Sequence, residues 1–153
     1  MKLKNVFQWM WLWPPFLGSS ISIKEMNKDL TRIVVQMKRR PWSQNYVGTQ
    51  YGGSLFSMTD PFYMLMLIEH LGKQYIVWDK AGAIRYKKPA KDTVYATFEL
   101  AKEKIAEIKK FADENPKYEP TFLVEIKDDE GNVIAEVDRL IYVKRKDKIK
   151  KPS

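Results

Sequence analysis

The chain has 153 residues, of which 44% are hydrophobic, 30% charged and 13% aromatic. A chain of this length can bury roughly 70% of its extended surface, which is enough for one hydrophobic core. There is no cysteine and His70 is the single histidine. These counts exclude disulfide scaffolds, thiol nucleophiles, zinc fingers and any site that needs two imidazoles.

The net charge of +8 is distributed unevenly. Lys144 to Lys151 holds six basic residues and one acid, so the last ten positions carry +5 and the rest of the chain only +3. We interpret residues 144–153 as a solvated, poorly ordered basic tail, with a weak contact to an anionic surface as the alternative. Because the excess lies in a tail and not over a face, a nucleic-acid partner is not expected.

The N-terminus begins with Lys2 and Lys4 and continues as an apolar run from Val6 to Leu17. Three tryptophans and the Pro14-Pro15 pair within this run are untypical of a signal peptide. We therefore predict a short helix that caps the domain. No run reaches the roughly 20 apolar residues of a membrane span, and we expect a cytoplasmic protein.

Alternation of apolar and polar residues predicts six strands, which we expect to form one antiparallel sheet. A turn at 27–29 joins the first two strands, a polar loop covers 39–50, and an amphipathic helix precedes the last two strands. The predicted strands span 21–24, 33–38, 75–87, 93–100, 122–126 and 133–143, and this helix spans 101–112. The predicted domain therefore covers residues 1–143.

Residues Gly53 to Leu71 are apolar around the whole helical wheel, and Gly72 follows as a C-terminal glycine. A helix that is apolar on every side is buried on every side. The order of elements thus predicts an α+β architecture, with a curved six-stranded sheet wrapped around one long central helix.

The last strand carries Arg139 within an otherwise apolar face. One explanation is a bulge that changes the phase of the strand, or a side chain that snorkels to the surface. The other is that Arg139 contacts an anion. We favour the bulge or the snorkelled side chain.

Gly52 and Gly53 stand at the predicted start of the central helix. Adjacent glycines allow a close approach to the backbone and leave the first N–H groups of a helix free for an acceptor, such as a carbonyl that becomes an oxyanion. A tight turn into the helix is an equally ordinary explanation, since neither a P-loop nor a dinucleotide fingerprint is present.

Asp60 is the single acid between Gly53 and Ile68. It either caps a helix that begins at Pro61 or is a functional acid inside a longer, Pro-kinked helix. His70 lies ten residues further, about 15 Å along a helix, and cannot form a dyad with it. The sequence supports neither a serine hydrolase nor a metal site.

The segments around these residues resemble hotdog-fold thioesterases of the phenylacetyl-CoA thioesterase type. Asn45, Gly48, Gly52-Gly53 and Asp60 stand where that group has its Asn, Gly, His-Gly-Gly and catalytic acid. From Trp13 to about Val143 the chain is also similar to a hotdog domain family without an assigned activity, which shares the segments NYVGTQYGG and DPFY.

The resemblance implies a hotdog fold in a homodimer, or in a dimer of such dimers, whose sheets join edge to edge. An acyl-CoA or acyl-carrier thioester would lie at the subunit interface and would be hydrolysed without cofactor or metal. Asp60, contributed by the partner subunit, would activate water or attack directly. The Gly53 amide, with Gly52, would polarise the carbonyl, and Asn45 would orient water or substrate.

The resemblance also implies substrate contacts from Gln50, Tyr51 and Arg85. Arg85, Lys87 and Lys88 would be available for the CoA phosphates, although we favour a solvated strand end as the explanation of these three charges. Tyr51 departs from the pattern, because histidine usually precedes the two glycines. Tyrosine keeps a hydrogen-bond donor but does not titrate near neutral pH. A protein that binds an acyl or CoA ligand without hydrolysis is therefore the alternative.

Overall fold

Six strands form one antiparallel sheet, as the alternation predicts. The computed structural model describes residues 3–148, and the order across the sheet is β1-β2-β4-β5-β6-β3. The strands are β1 Ile21–Met26, β2 Arg32–Met37, β3 Tyr75–Tyr86, β4 Val94–Glu99, β5 Thr121–Asp128 and β6 Val133–Arg145. Of the predicted basic tail, residues 149–153 lie outside the described residues.

The N-terminus folds as two short helices that cap the core, as expected. Helix α1 is Leu3–Trp9, a 3-10 turn covers Met10–Leu12, and α2 is Pro14–Ser19. Phe7 and Phe16 are buried and lie 6.2 Å and 6.1 Å, ring centre to ring centre, from Phe62 of the central helix. These contacts fix the N-terminal segment to the core.

The central helix has two parts, α3 Gly52–Ser57 and α4 Phe62–Leu71, where the sequence predicts one helix over 53–71. The interruption includes Asp60 and Pro61, whose peptide bond is cis. The Asp60 N–H donates to the Ser57 carbonyl at 3.1 Å. Gly72 ends α4 with φ +78° and an N–H that donates to Ile68, which confirms its predicted role.

The sheet curves around this helix and buries it over most of its surface. Phe62 packs on Phe98 of β4, with ring centres 4.8 Å apart, and Tyr63 stacks on Phe122 of β5 at 4.1 Å. The expectation of burial on every side is wrong in detail, since the Ile68 side chain remains 38% exposed. Helix α5, Lys102–Glu114, connects β4 to β5.

The two edges of the sheet differ. Strand β3 is 12 residues long and pairs with β6 on one side, while its other side has no strand in the described chain. Strand β1 has six residues with a bulge between Ile23 and Glu25, and α2 and the 3-10 turn pack against it. A long accessible edge is available on β3 only.

Candidate active site

A loop closed by Asn45 leads into α3. The Oδ1 atom of Asn45 accepts hydrogen bonds from the N–H groups of Val47 at 3.2 Å and Thr49 at 3.1 Å. The Nδ2 atom of Asn45 donates to the Thr49 hydroxyl at 2.9 Å. Gly48 has φ +79°, a conformation that favours glycine. The side chain of Asn45 therefore holds its own loop, and its predicted role toward water or substrate stays a prediction.

Gln50 fastens the end of this loop to the sheet. It is 3% exposed, and its Nε2 donates to the carbonyls of Met37 and Asp92, both at 3.0 Å. Its backbone N–H donates to the Ala90 carbonyl at 2.8 Å. The Oε1 atom is buried without a hydrogen-bond partner in the described chain. Gln50 thus sets the position of Tyr51, the N-cap residue that precedes α3.

The first turn of α3 presents free amides. Among the described residues, neither the Gly52 nor the Gly53 N–H makes a hydrogen bond, whereas the Ser54 N–H donates to the Tyr51 carbonyl at 3.0 Å. A side-chain carbon on Gly52 would lie 2.8 Å from the Tyr86 hydroxyl oxygen, and one on Gly53 would lie 2.5 Å from a Tyr51 ring carbon. A side chain at position 52 would therefore meet Tyr86 and one at position 53 the exposed Tyr51 ring, and the N–H groups of both glycines can donate to an incoming oxygen.

Gly52 lines an open cleft of about 460 Å³, whereas Tyr51 and Gly53 are not among the residues that line it. Three of the sequence-predicted site residues, Asn45, Gln50 and Gly52, meet there. The opposite wall is formed by the end of β3 and the following loop, with Tyr86, Lys87, Lys88, Pro89 and Ala90. Its mixture of apolar side chains, backbone amides and cations suits an acyl group joined to an anionic carrier.

Asp60 lies outside that cleft, in the break between α3 and α4. Its side chain is 51% exposed, and its Oδ2 forms an ion pair with Arg139 Nη2 at 2.9 Å. Its Oδ1 has no partner among residues 3–148. The N-cap position of α4 is Pro61, and no N–H of α4 donates to the Asp60 carboxylate. Asp60 is therefore not a helix cap, and one carboxylate oxygen remains accessible.

Arg139 joins Asp60 to a second carboxylate. Its side chain is 4% exposed, and Nη2 lies 2.9 Å from Asp79 Oδ1, while Nε donates to the same oxygen at 3.2 Å. The guanidinium also lies 5.1 Å from the centre of the Phe56 ring. A buried cation thus bridges one half-exposed and one buried carboxylate.

The two carboxylates differ in environment. Burial raises the pKa of the Asp79 carboxyl above its usual 3.8, the charge of Arg139 acts in the opposite direction, and the charge of Asp60 raises it further. The side chain of Asp79 is 15% exposed. Asp79 and Asp60 share Arg139 as their counter-charge.

The favoured interpretation of Arg139 was wrong, and the anion contact is correct. The bulge lies in the neighbouring strand, between Asp79 and Ala81 of β3, while β6 keeps its inward phase through Arg139. Asp79 was missed, although it continues the inward phase of Tyr75 and Val77 in β3. An acid and an arginine in the inward phases of two strands could have been paired from the sequence.

The remaining predicted residues lie nearby but are engaged elsewhere. Arg85 does not line the cleft, and its guanidinium bonds to Glu136 at 3.3 Å and Asp138 at 2.5 Å. Tyr51 is 60% exposed, beside Gly53. His70, at the end of α4, has its Nε2 3.2 Å from the Leu30 carbonyl and takes no part in the cleft.

Residues 3–148 contain neither a group of metal-ligating side chains nor a membrane-spanning helix. No group of three or more His, Cys, Asp or Glu side chains in this range is placed to hold a metal ion. Likewise, no helix within it has both the length and the apolar character needed to cross a bilayer.

The fold is shared with solved structures of low sequence identity. PA5026 of Pseudomonas aeruginosa, described as a "Probable Thioesterase", has 17% identity and a TM-score of 0.81, over 95% of this chain and 97% of that one. Thioesterase HI1161 of Haemophilus influenzae has 13% identity and a TM-score of 0.67, over 95% and 92%. A variant of a hypothetical thioesterase of Streptococcus pneumoniae has 22% identity and a TM-score of 0.56, over 82% of this chain and 91% of that one. No curated protein matches the chain.

A sheet of this order wrapped around a central helix, together with these similarities, defines a hotdog-fold protein built like solved thioesterases. The α+β hotdog fold expected from the sequence is confirmed. A family model described as Domain of unknown function (DUF4442) matches residues 4–143. The chain belongs to this family.

Proposed function

We propose that this protein is a thioesterase that hydrolyses an acyl-CoA or acyl-carrier thioester at a dimer interface, in the cytoplasm. The observation that carries the proposal is the first turn of α3, where the N–H groups of Gly52 and Gly53 make no hydrogen bond within the described chain and Gly52 lines a cleft of about 460 Å³. Thioesterase-named structures share the fold, which favours the same chemistry here. No cofactor is needed for this reaction.

The chemistry would begin with the thioester carbonyl oxygen at the Gly53 N–H, assisted by Gly52. Both donors sit in the first turn of α3, where the helix dipole favours developing negative charge. Two sheets joined along β3 would bring Asp60 of the second subunit to the other side of the thioester. The free Oδ1 of Asp60 is the atom that would then act.

Two routes from Asp60 give the same products. As a general base, its Oδ1 takes a proton from water while the water oxygen bonds to the carbonyl carbon. The tetrahedral intermediate collapses, the carbon–sulfur bond breaks, and the proton passes from Asp60 to the leaving thiolate. As a nucleophile, Asp60 would form a mixed anhydride that water hydrolyses. Either route yields a carboxylic acid and a free thiol.

Arg139 would act as a positioning residue in both routes. It holds Asp60 Oδ2 at 2.9 Å and so fixes the carboxylate while Oδ1 stays free. Lys88 at the cleft rim would face the anionic part of the substrate, whereas Lys87 is paired with Glu136 at 3.2 Å and Arg85 with Glu136 and Asp138. Arg85 would then contribute only if substrate displaces Glu136 or Asp138.

The second candidate is an acyl or CoA-ligand binding protein without turnover. It is favoured by the Asp60–Arg139 ion pair, because Arg139 occupies Oδ2 and leaves only one carboxylate oxygen for a reaction. Tyr51 before the two glycines favours the same alternative, since it does not supply an imidazole.

The test is thiol release from a panel of acyl-CoA esters, followed with a thiol-reactive dye. We expect release by the wild type and a loss of at least about 100-fold for Asp60→Asn and Asp60→Ala. Glu114→Gln, an exposed carboxylate at the end of α5, is the matched control and should retain full activity. If no ester is cleaved at high enzyme concentration while calorimetry detects binding, the second candidate is correct.

A further inference from the structure

The N-terminal segment is apolar on both of its sides. Phe7, Met10 and Phe16 point into the core and are at most 4% exposed. The opposite side exposes five large apolar side chains: Trp9 60%, Trp11 46%, Leu12 43%, Trp13 41% and Leu17 53%. Exposed apolar residues in one contiguous stretch indicate an interaction surface, because scattered single residues are the rule on other surfaces.

The loop after β2 adjoins this segment and adds cations. The Lys38 N–H donates to the carbonyl of Ser20, directly after α2, at 3.2 Å, and α2 packs against the 3-10 turn Pro41–Ser43. Trp42 in that turn is 69% exposed. Lys38, Arg39 and Arg40 are exposed, and none forms an ion pair with a residue between 3 and 148. We call these exposed side chains of 9–17 and 38–42 the aromatic-basic face.

Both segments lack acids over long stretches of sequence. No Asp or Glu occurs in the first 24 residues or between Leu30 and Thr59. Tryptophan combined with Lys and Arg is the composition of segments that lie in the membrane interface, with the indole at headgroup level. Cations near the surface of an anionic bilayer are attracted within a Debye length.

A second copy of the chain fits this face poorly. Two such faces in contact would bring Lys38, Arg39 and Arg40 of each copy against like charges. The face also packs on β1, the edge of the sheet opposite to β3. The dimer proposed above uses β3 and would leave the aromatic-basic face open on both subunits.

We propose that the aromatic-basic face binds the surface of an anionic phospholipid membrane, with the tryptophans inserted at headgroup depth and the cations next to lipid phosphates. Binding of this kind is peripheral and requires no membrane-spanning helix. It is independent of thioester hydrolysis, since none of these residues lines the cleft.

The experiment is flotation of the full-length protein with phosphatidylcholine vesicles that contain 30% phosphatidylglycerol, compared with pure phosphatidylcholine. We expect binding to the anionic vesicles, and a loss of about tenfold or more in partition coefficient for Trp9→Ser/Trp11→Ser and for Lys38→Glu/Arg40→Glu. Leu123→Ser, 55% exposed on β5, and Lys109→Glu/Lys110→Glu on α5 are the matched controls and should bind as the wild type does.

Each other outcome overturns the proposal. The wild type does not float with anionic vesicles, or the control variants lose binding as much as the face variants do. Alternatively, both face variants bind as the wild type does, which would assign binding to the basic tail. A change of oligomeric state in the face variants without a change in vesicle binding would indicate a protein partner. If a face variant fails to fold, quenching of wild-type tryptophan fluorescence by brominated lipid decides, because bound tryptophans must be quenched and absence of quenching contradicts insertion.

Discussion

At the scale of single residues, Arg139 has the largest predicted effect on stability. Its removal leaves the buried Asp79 carboxylate without a counter-charge, whereas Asp60 is half-exposed and can be solvated by water. We expect Arg139→Met to lower the free energy of unfolding by about 3–5 kcal/mol, as is usual for breaking a buried ion pair. Urea denaturation followed by circular dichroism measures this change.

The matched control for this effect is the double variant Arg139→Met/Asp79→Asn. Because it removes both buried charges, it should recover at least about 1–2 kcal/mol relative to Arg139→Met alone. Additive losses from the two single variants would show that the ion pair does not account for the effect.

Asp79 also gives a prediction for pH. Burial raises the pKa of this carboxyl above 3.8 in the folded state, so its proton favours folding. This contribution is complete below about pH 3.8 and is lost as the pH rises through the raised pKa. The stability of Asp79→Asn relative to wild type should therefore increase from pH 3.5 to pH 7. Urea denaturation at both pH values measures it, and a flat or decreasing difference would contradict the assigned direction.

At the scale of elements, a substitution in the first turn of α3 should lower activity with little effect on stability. We expect Gly53→Ala to change the free energy of unfolding by less than about 1 kcal/mol, since alanine is favoured in helices and the exposed Tyr51 ring can move aside. Thioester hydrolysis should fall by about tenfold or more, because the methyl group blocks approach to the amide. Gly18→Ala in α2, with no atom within 4 Å, is the control. Equal hydrolysis by both variants would remove Gly53 from the site.

Strands and helices differ in how well the sequence predicts them. Strict alternation, as in Val94, Ala96 and Phe98, predicts β4 because one face of the strand is buried throughout. The break in the central helix escapes such patterns, because apolar residues continue on both sides of Pro61. The position of Asp60 beside Asp79 and Arg139 cannot be predicted from such patterns either, because it depends on this break.

At the scale of the whole molecule, the free edge of β3 predicts assembly. We expect a particle of about twice the 18.1 kDa chain mass, or a multiple of it, by light scattering. Ala81 and Ala83 are exposed on this edge, so Ala81→Glu/Ala83→Glu should yield monomers through repulsion across the two-fold axis. Leu123→Glu on β5 should keep the wild-type mass. A wild-type monomer at micromolar concentration would refute pairing through β3 and, with it, a site shared between subunits.

The inequality of the two sheet borders also limits how far this association can go. One border is long and open, while the other is short, kinked by its bulge and sheltered by the N-terminal helices. If two copies pair through β3, the free edge strand of each is occupied, and no such edge remains for a third copy. Growth into fibrils is thereby blocked by topology, and any larger particle must form through sheet faces or helices instead.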